Sequence, residues 1–199
     1  MNIVILDPGF SNLSSIYWAI KRLKYNPVIS DNPDIIRNSD KLIFPGIGTP
    51  HAVMKNLFNK KLIKVIQEYK NPILGICLGM QLFFHYSEES KDVLMLNIFK
   101  NKCIYKFNNQ IILPHMGWNK VYFKKKHPLF KNICNGEWFY FIHSYISLIS
   151  SITVAKTYYG SFFSSAVQQD NFFGVQFHPE KSGLKGMYLL KNFLEINIL

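Results

Sequence analysis

Three side chains in this sequence could together carry thiol chemistry: Cys77, His178 and Glu180. Acyl transfer through a thiol needs a sulfur nucleophile, an imidazole to carry the proton and a carboxylate to orient the imidazole. Cys77 stands in Gly75-Ile76-Cys77-Leu78-Gly79, between the apolar run Pro72-Ile73-Leu74 and a helical run, Met80-Gln81-Leu82-Phe83-Phe84. That is the layout of a nucleophile elbow, a strand-to-helix turn that lifts one side chain above a sheet edge. The flanking glycines let both arms of such a turn pack closely. At the start of a helix, the dipole and a nearby imidazole favour negative charge on sulfur. His178-Pro179-Glu180 follows the strand-like run 172–177. An offset of two predicts that both side chains leave one face of an extended strand. Pro179 stops that strand at its end, where α/β sheets place their chemistry.

Other residues suit supporting roles. Pro45-Gly46-Ile47-Gly48 closes a strand candidate, and its glycines could turn backbone N–H groups toward a developing oxyanion. It lacks the long glycine spacing and terminal Gly-Lys-Ser/Thr of a phosphate loop. Gln81, one helical turn past Cys77, can both donate to and accept from an amide substrate. His115 and His143 read as hydrogen-bonded structural histidines, since no histidine pair has metal-ligand spacing on a helix. Cys103 and Cys134 read as structural, and the odd cysteine count without a Cys-x-x-Cys pair suggests a reducing cytoplasm.

The elements that must position these groups alternate in the first half. Strand candidates at 2–6, 41–44 and 72–74 are separated by helical patterns at 12–23, 51–58 and 62–69. This implies a mostly parallel central sheet flanked by helices. Between 97 and 169 short β-favouring runs crowd together, such as 102–107, 138–142 and 152–158, and additional, partly antiparallel strands are expected there. A helix from Ser182 to Ile196 closes the chain. With 199 residues and no internal repeat or linker, one α/β domain over 1–199 is expected. The formal net charge is +11, but only Arg22 and Arg37 are arginines, and the lysines are scattered apart from Lys124-Lys125-Lys126. A solvated lysine-rich surface explains this better than nucleic-acid binding. No apolar stretch approaches the ~20 residues of a membrane span, and the N-terminus does not read as a secretory signal.

The segments 75–81 (Gly-Ile-Cys-Leu-Gly-Met-Gln) and 174–180 (Gly-Val-Gln-Phe-His-Pro-Glu) resemble the class I (triad) glutamine amidotransferases. Pro45-Gly46-Ile47-Gly48, Pro114-His115-Met116-Gly117-Trp118-Asn119 and Phe141-Ile142-His143-Ser144-Tyr145 are similar, more narrowly, to the glutaminase subunits of imidazole glycerol phosphate synthases. The resemblance implies that Cys77 is the nucleophile, His178 the base and acid, and Glu180 its orienter. It further implies oxyanion donors near Gly46, Ile47 and Leu78, with Gly48, Gln81, Ser144 and Tyr145 around the glutamine. It implies a heterodimer with a (β/α)8-barrel cyclase that takes the released ammonia, met by Asn12, Trp118, Tyr140 and Lys181, and no metal or cofactor. Asp7-Pro8-Gly9-Phe10-Ser11-Asn12 departs from the common Asp-Tyr-Gly-x-Gly-Asn, and Thr49-Pro50-His51 is also atypical. A paralogue feeding a related barrel for sugar amidation, an independent γ-glutamyl hydrolase and a silent binding subunit are the alternatives.

Overall fold

Ile3-Val4-Ile5-Leu6 is apolar on both faces, and in the computed structural model it is a strand buried on both (β1, Ile3–Leu6). Such runs belong in parallel sheets covered on two sides. The structure describes residues 1–9, 13–90, 93–107, 111–123 and 126–197. After β1 come α1 (Leu13–Arg22), β2 (Pro27–Ser30), α2 (Pro33–Arg37), β3 (Lys41–Gly46), α3 (Pro50–Asn59), α4 (Leu62–Gln67), β4 (Ile73–Cys77) and α5 (Leu78–Gln81). The second half contributes β5 (Phe84–Ser87), β6 (Phe99–Lys106), β7 (His115–Phe123), β8 (Glu137–His143) and β9 (Tyr145–Ser147). It ends with β10 (Thr153–Tyr159), β11 (Ser161–Gln169), β12 (Phe172–Val175) and α6 (Gly183–Glu195).

The main sheet runs in the order β2-β1-β3-β4-β12-β11-β10-β7-β8. Its pairings from β2 to β12 are parallel and those from β12 to β8 antiparallel. A smaller sheet, β5-β6-β9, lies apart from it. Alternation along β1 divides the core. Ile3 and Ile5 pack with Ile16, Ala19 and Ile20 of α1 and with Leu189, Leu190 and Phe193 of α6. Val4 and Leu6 pack with Ile36 of α2, Val53 and Leu57 of α3 and Val65 and Ile66 of α4.

Four points differ from the sequence reading. The helix after Cys77 covers only Leu78–Gln81, and Phe84 already begins β5. Leu82, Phe83 and Phe84 are all fully buried, so the apolar run carries no periodicity to tell helix from strand. The strand before His178 stops at Val175. An edge strand and a short helix at 27–37 escaped the reading, although Asn32 caps that helix by accepting from Asp34 N (2.8 Å) and Ile35 N (3.3 Å), with Pro33 next in line. Cys134 is exposed rather than part of a core, while Cys103 is half-buried. Among the described residues no helix is long and apolar enough to cross a membrane.

Candidate active site

Cys77 ends β4 with φ 54° and ψ −114°, a conformation that L-residues avoid. Such strain costs roughly 1–3 kcal/mol and persists only when the surroundings enforce it. Here the glycines enforce it by close approach. A Cβ on Gly79 would overlap the Phe44 carbonyl, one on Gly46 would lie 2.6 Å from Leu78 Cβ, and one on Gly75 would lie 2.6 Å from Met80 N. β3 and β4 thereby come together, with Gly46 directly opposite Cys77 in the parallel register. Ile47 and Gly48 follow at the mouth, Gly48 at φ 102°. Thr49 then caps α3 by accepting from Ala52 N (3.4 Å), with Pro50 in the first turn. The atypical Thr-Pro pair is thus a sound helix start.

His178 and Glu180 meet by a different route from the expected one. Pro179–Lys181 form a 3-10 turn, so the carboxylate folds back on the ring instead of lying two residues along a strand. Glu180 Oε1 lies 2.7 Å from His178 Nδ1, and both side chains are buried. The turn is pinned from below: His178 N donates to Tyr140 O (2.9 Å), and Ser182 Oγ donates to His178 O (2.6 Å) while accepting from Tyr140 N (3.0 Å). With Nδ1 engaged, Nε2 is the free face, and no hydrogen-bond acceptor within the described residues meets it in good geometry. Burial alone would strip His178 of its proton. The Cys77 sulfur beside it, then Glu180, outweighs burial and holds the ring at about 10. At neutral pH the ring is an imidazolium poised between sulfur and carboxylate.

A cavity of about 320 Å³ opens over Cys77. Gly46, Ile47, Gly48, Leu78, Gln81, Ser144, Tyr145, His178 and Lys181 line it together with Cys77, so the catalytic and substrate groups read from sequence converge, apart from Glu180 behind the ring. Two further residues were missed. Glu89 lines the cavity from a loop after β5, its carboxyl raised by burial. Gln176, fully buried, accepts from Gln81 Nε2 (2.8 Å) and reaches Cys77 Sγ with its own Nε2 (3.7 Å). A polar residue in the apolar run Gly174-Val175-Gln176-Phe177 was the available signal.

The residues expected to face a partner also come together. On β7 and β8, Trp118 stands opposite Tyr140. Their rings meet edge-on at 6.1 Å, and Lys181 Nζ lies 5.9 Å from the Tyr140 ring. Met116 opposite Ile142 extends this exposed face to the cavity rim. Asn12 lies outside the described residues. A larger cavity, of about 700 Å³, sits between β7, β10 and β11 among Tyr122, Phe123, Lys156, Tyr158 and Phe162. Its lining has no thiol, carboxylate or imidazole, so size is outweighed by chemistry. Among the described residues no cluster of His, Cys, Asp or Glu could hold a metal ion.

Residues 4–196 match the family Glutamine amidotransferase class-I. The chain is 55% identical over 196 residues to imidazole glycerol phosphate synthase subunit HisH of Buchnera aphidicola subsp. Acyrthosiphon pisum, covering 98% of this chain and 100% of that one. It is 49% identical over 196 residues to the HisH subunit of Salmonella typhimurium, with the same coverage. The chain belongs to the HisH family of class I glutamine amidotransferases. Solved structures agree in fold. A glutamine amidotransferase crystal structure superposes with TM-score 0.76 at 16% identity, covering 98% of each chain. The glutaminase domain of Trypanosoma brucei CTPS with bound acivicin does so with TM-score 0.65 at 15% identity, covering 100% of this chain and 96% of that one.

Proposed function

We propose that this chain, acting as one domain over residues 1–199 in the cytoplasm, hydrolyses glutamine and passes ammonia to a (β/α)8-barrel cyclase in a heterodimeric imidazole glycerol phosphate synthase. The observation that carries the reading is a strained cysteine at the floor of a cavity, faced by an imidazolium whose other nitrogen is held by a buried carboxylate. Thiol-mediated amide hydrolysis needs that constellation and little else.

In this reading the Cys77 thiolate attacks the side-chain amide carbon of glutamine. Negative charge develops on the carbonyl oxygen, met by backbone N–H groups near Gly46, Ile47 and Leu78. His178 starts protonated and gives its Nε2 proton to the leaving nitrogen, which departs as ammonia and leaves a γ-glutamyl thioester. The ring, now neutral, takes a proton from water. The hydroxide adds to the thioester and the C–S bond breaks; thiolate and imidazolium are restored, and the new carboxylic acid passes its proton to ammonia or solvent and leaves as glutamate. Glu180 keeps Nε2 aimed at sulfur throughout by binding Nδ1. Gln81, Ser144, Tyr145 and Gly48 surround the substrate, and Glu89 offers an anion to its α-ammonium group.

The ladder of exposed Met116, Trp118 and Ile142 with half-buried Tyr140, together with Lys181, supports a docking face for the cyclase, because it adjoins the cavity that releases ammonia. This face and Asn12 are the expected contacts. Imidazole glycerol phosphate and AICAR would then form in the barrel from its phosphoribulosyl-formimino substrate. The test is Cys77→Ala in the assembled enzyme. Synthesis from glutamine should vanish while synthesis from ammonium salts persists, since the barrel consumes ammonia itself. Retained glutamine-dependent synthesis would refute the role given to Cys77.

A further inference from the structure

His115 and His143 are too deeply buried to be ordinary surface groups, 3% and 7% exposed, and the mechanism above uses neither. They touch: His115 Nδ1 lies 3.0 Å from His143 Nε2. The protons of this pair follow from fixed neighbours. Tyr145 O can only accept, and His143 Nδ1 lies 2.9 Å from it, so that nitrogen is a donor. A neutral ring has one N–H, so His143 Nε2 accepts, and His115 Nδ1 must donate to it. His115 Nε2 is then an acceptor, and Asn119 Nδ2 supplies a hydrogen at 3.2 Å. Asn119 is itself fixed, donating to Tyr158 O (3.0 Å) and accepting from Lys120 N (2.7 Å).

The same Tyr145 carbonyl receives a second hydrogen, from Gln81 Nε2 at 3.1 Å. Gln81 Nε2 also donates to Gln176 Oε1, which spends both its hydrogens and decides the orientation of both amides. Gln81 is left presenting Oε1, and Gln176 presents Nε2–H toward Cys77 Sγ. Sulfur has two neighbours at 3.7 Å. The Ile142 carbonyl can serve only a thiol, whereas the Gln176 N–H serves a negative sulfur. Packing holds the rings in register: His115 is stacked between Phe141 (4.9 Å) and Tyr159 (4.0 Å), and His143 packs on Phe107 (5.4 Å) and Phe163 (5.2 Å).

We propose that His115 and His143 are positioning residues, links in a directional hydrogen-bond chain from Asn119 on β7 to the Tyr145 carbonyl that sets the amides of Gln81 and Gln176 against Cys77. The chain begins beside Trp118, on the strand that carries the proposed docking face, and ends at the sulfur. Both rings must be neutral for it to work. Burial pushes His115 down to about 4 and His143, with His115 beside it, to about 3, which satisfies that condition at neutral pH. The proposal rests on Cys77 being the nucleophile only for its functional consequence; the chain of donors stands or falls by itself.

Two measurements test it. Two-bond 1H–15N correlation spectra of the full-length chain at pH 7 should show both rings neutral with the proton on Nδ1. An Nε2 proton on either ring, or a charged ring, would overturn the chain. In the cyclase complex, His143→Phe keeps an aromatic ring and removes the donor, and should lower kcat/KM for glutamine about tenfold, the equivalent of one lost hydrogen bond. His143→Asn restores an N–H near the Nδ1 position and should recover most of that loss, with ammonium-dependent synthesis unchanged in both variants. Equal losses in the two variants, or no loss in either, would refute positioning. A parent complex that releases no glutamate would count against the glutaminase reading, while Nε2 protons in an active parent would count against the chain alone.

Discussion

His178 and the His115–His143 pair are close enough to share a cavity wall, since His143 and His178 both line the space over Cys77. All three rings are buried, yet they are tuned in opposite directions. His178 is held at about 10 because the Cys77 sulfur and a carboxylate flank it. His115 is driven to about 4 by burial, and His143 to about 3 by burial and by the imidazoles of His115 and His178 near it, with no anion beside either ring to offset the cost. Burial penalises the charged imidazole in every case, and only the presence of an anion reverses the outcome. One residue type thus supplies a charged proton carrier and neutral, directional connectors within a single site.

The largest blow to this contrast is removal of the sulfur. In Cys77→Ala, glutamine turnover should fall to background, and His178, titrated by NMR, should drop well below its parental value because its main counter-charge is gone. An unchanged His178 would mean that Glu180 alone raises it. Glu180→Gln comes next: the ring loses its orienting anion, and kcat should fall roughly 10²-fold, in line with the ~10²–10⁴-fold worth of positioned acid–base groups. Trp118→Ala should act on the partner side. It removes an exposed aromatic whose interface contribution is on the order of 2 kcal/mol, weakening cyclase binding roughly thirtyfold while the thermal transition of the subunit stays within a few degrees. A collapsed transition would make Trp118 a folding residue instead.

The smallest effect is on stability, and its sign separates the two sets. Unfolded histidine titrates near 6.5. For His178 the folded value is higher, so its contribution is full below about 6.5 and is lost as pH rises toward about 10. For His115 and His143 the folded values are lower. The unfolded chain takes up protons that the folded chain refuses, and stability falls as pH drops from about 6.5 toward about 4 and then about 3. Denaturant midpoints of the parent should therefore fall between pH 7 and pH 4.5, and the His115→Phe/His143→Phe double variant should lose less over that interval. An equal loss would show that carboxylates alone drive the acid limb.

The strained half of the site was legible from sequence because its cause is local. Glycines two before and two after Cys77 announce a turn that only close packing explains, and the structure finds backbone and side-chain atoms where their Cβ groups would go. Helices α1, α3 and α4 of the parallel half were legible for the same reason, their apolar spacing being set within a few turns. The His178–Glu180 contact was expected for the wrong reason, since Pro179 starts a turn rather than ending a long strand. The pairing of β7 with β8, which stacks His115 on Phe141 and sets Trp118 against Tyr140, joins segments separated by a loop whose length carries no register signal. Gln176 and Glu89 were invisible as site residues, because a buried amide and a loop carboxylate gain meaning only from what surrounds them.

The most direct test of the account is glutamate release from glutamine by the purified full-length chain, alone and with its cyclase plus nucleotide ligand. Slow release alone and a large rise in the complex, lost in Cys77→Ala, is the expected result, because partner and ligand then favour the active arrangement of the site. Full activity without the cyclase would contradict the partner-coupled reading and favour an independent hydrolase. Silence in a complex shown to form would contradict the assignment of Cys77, His178 and Glu180 altogether.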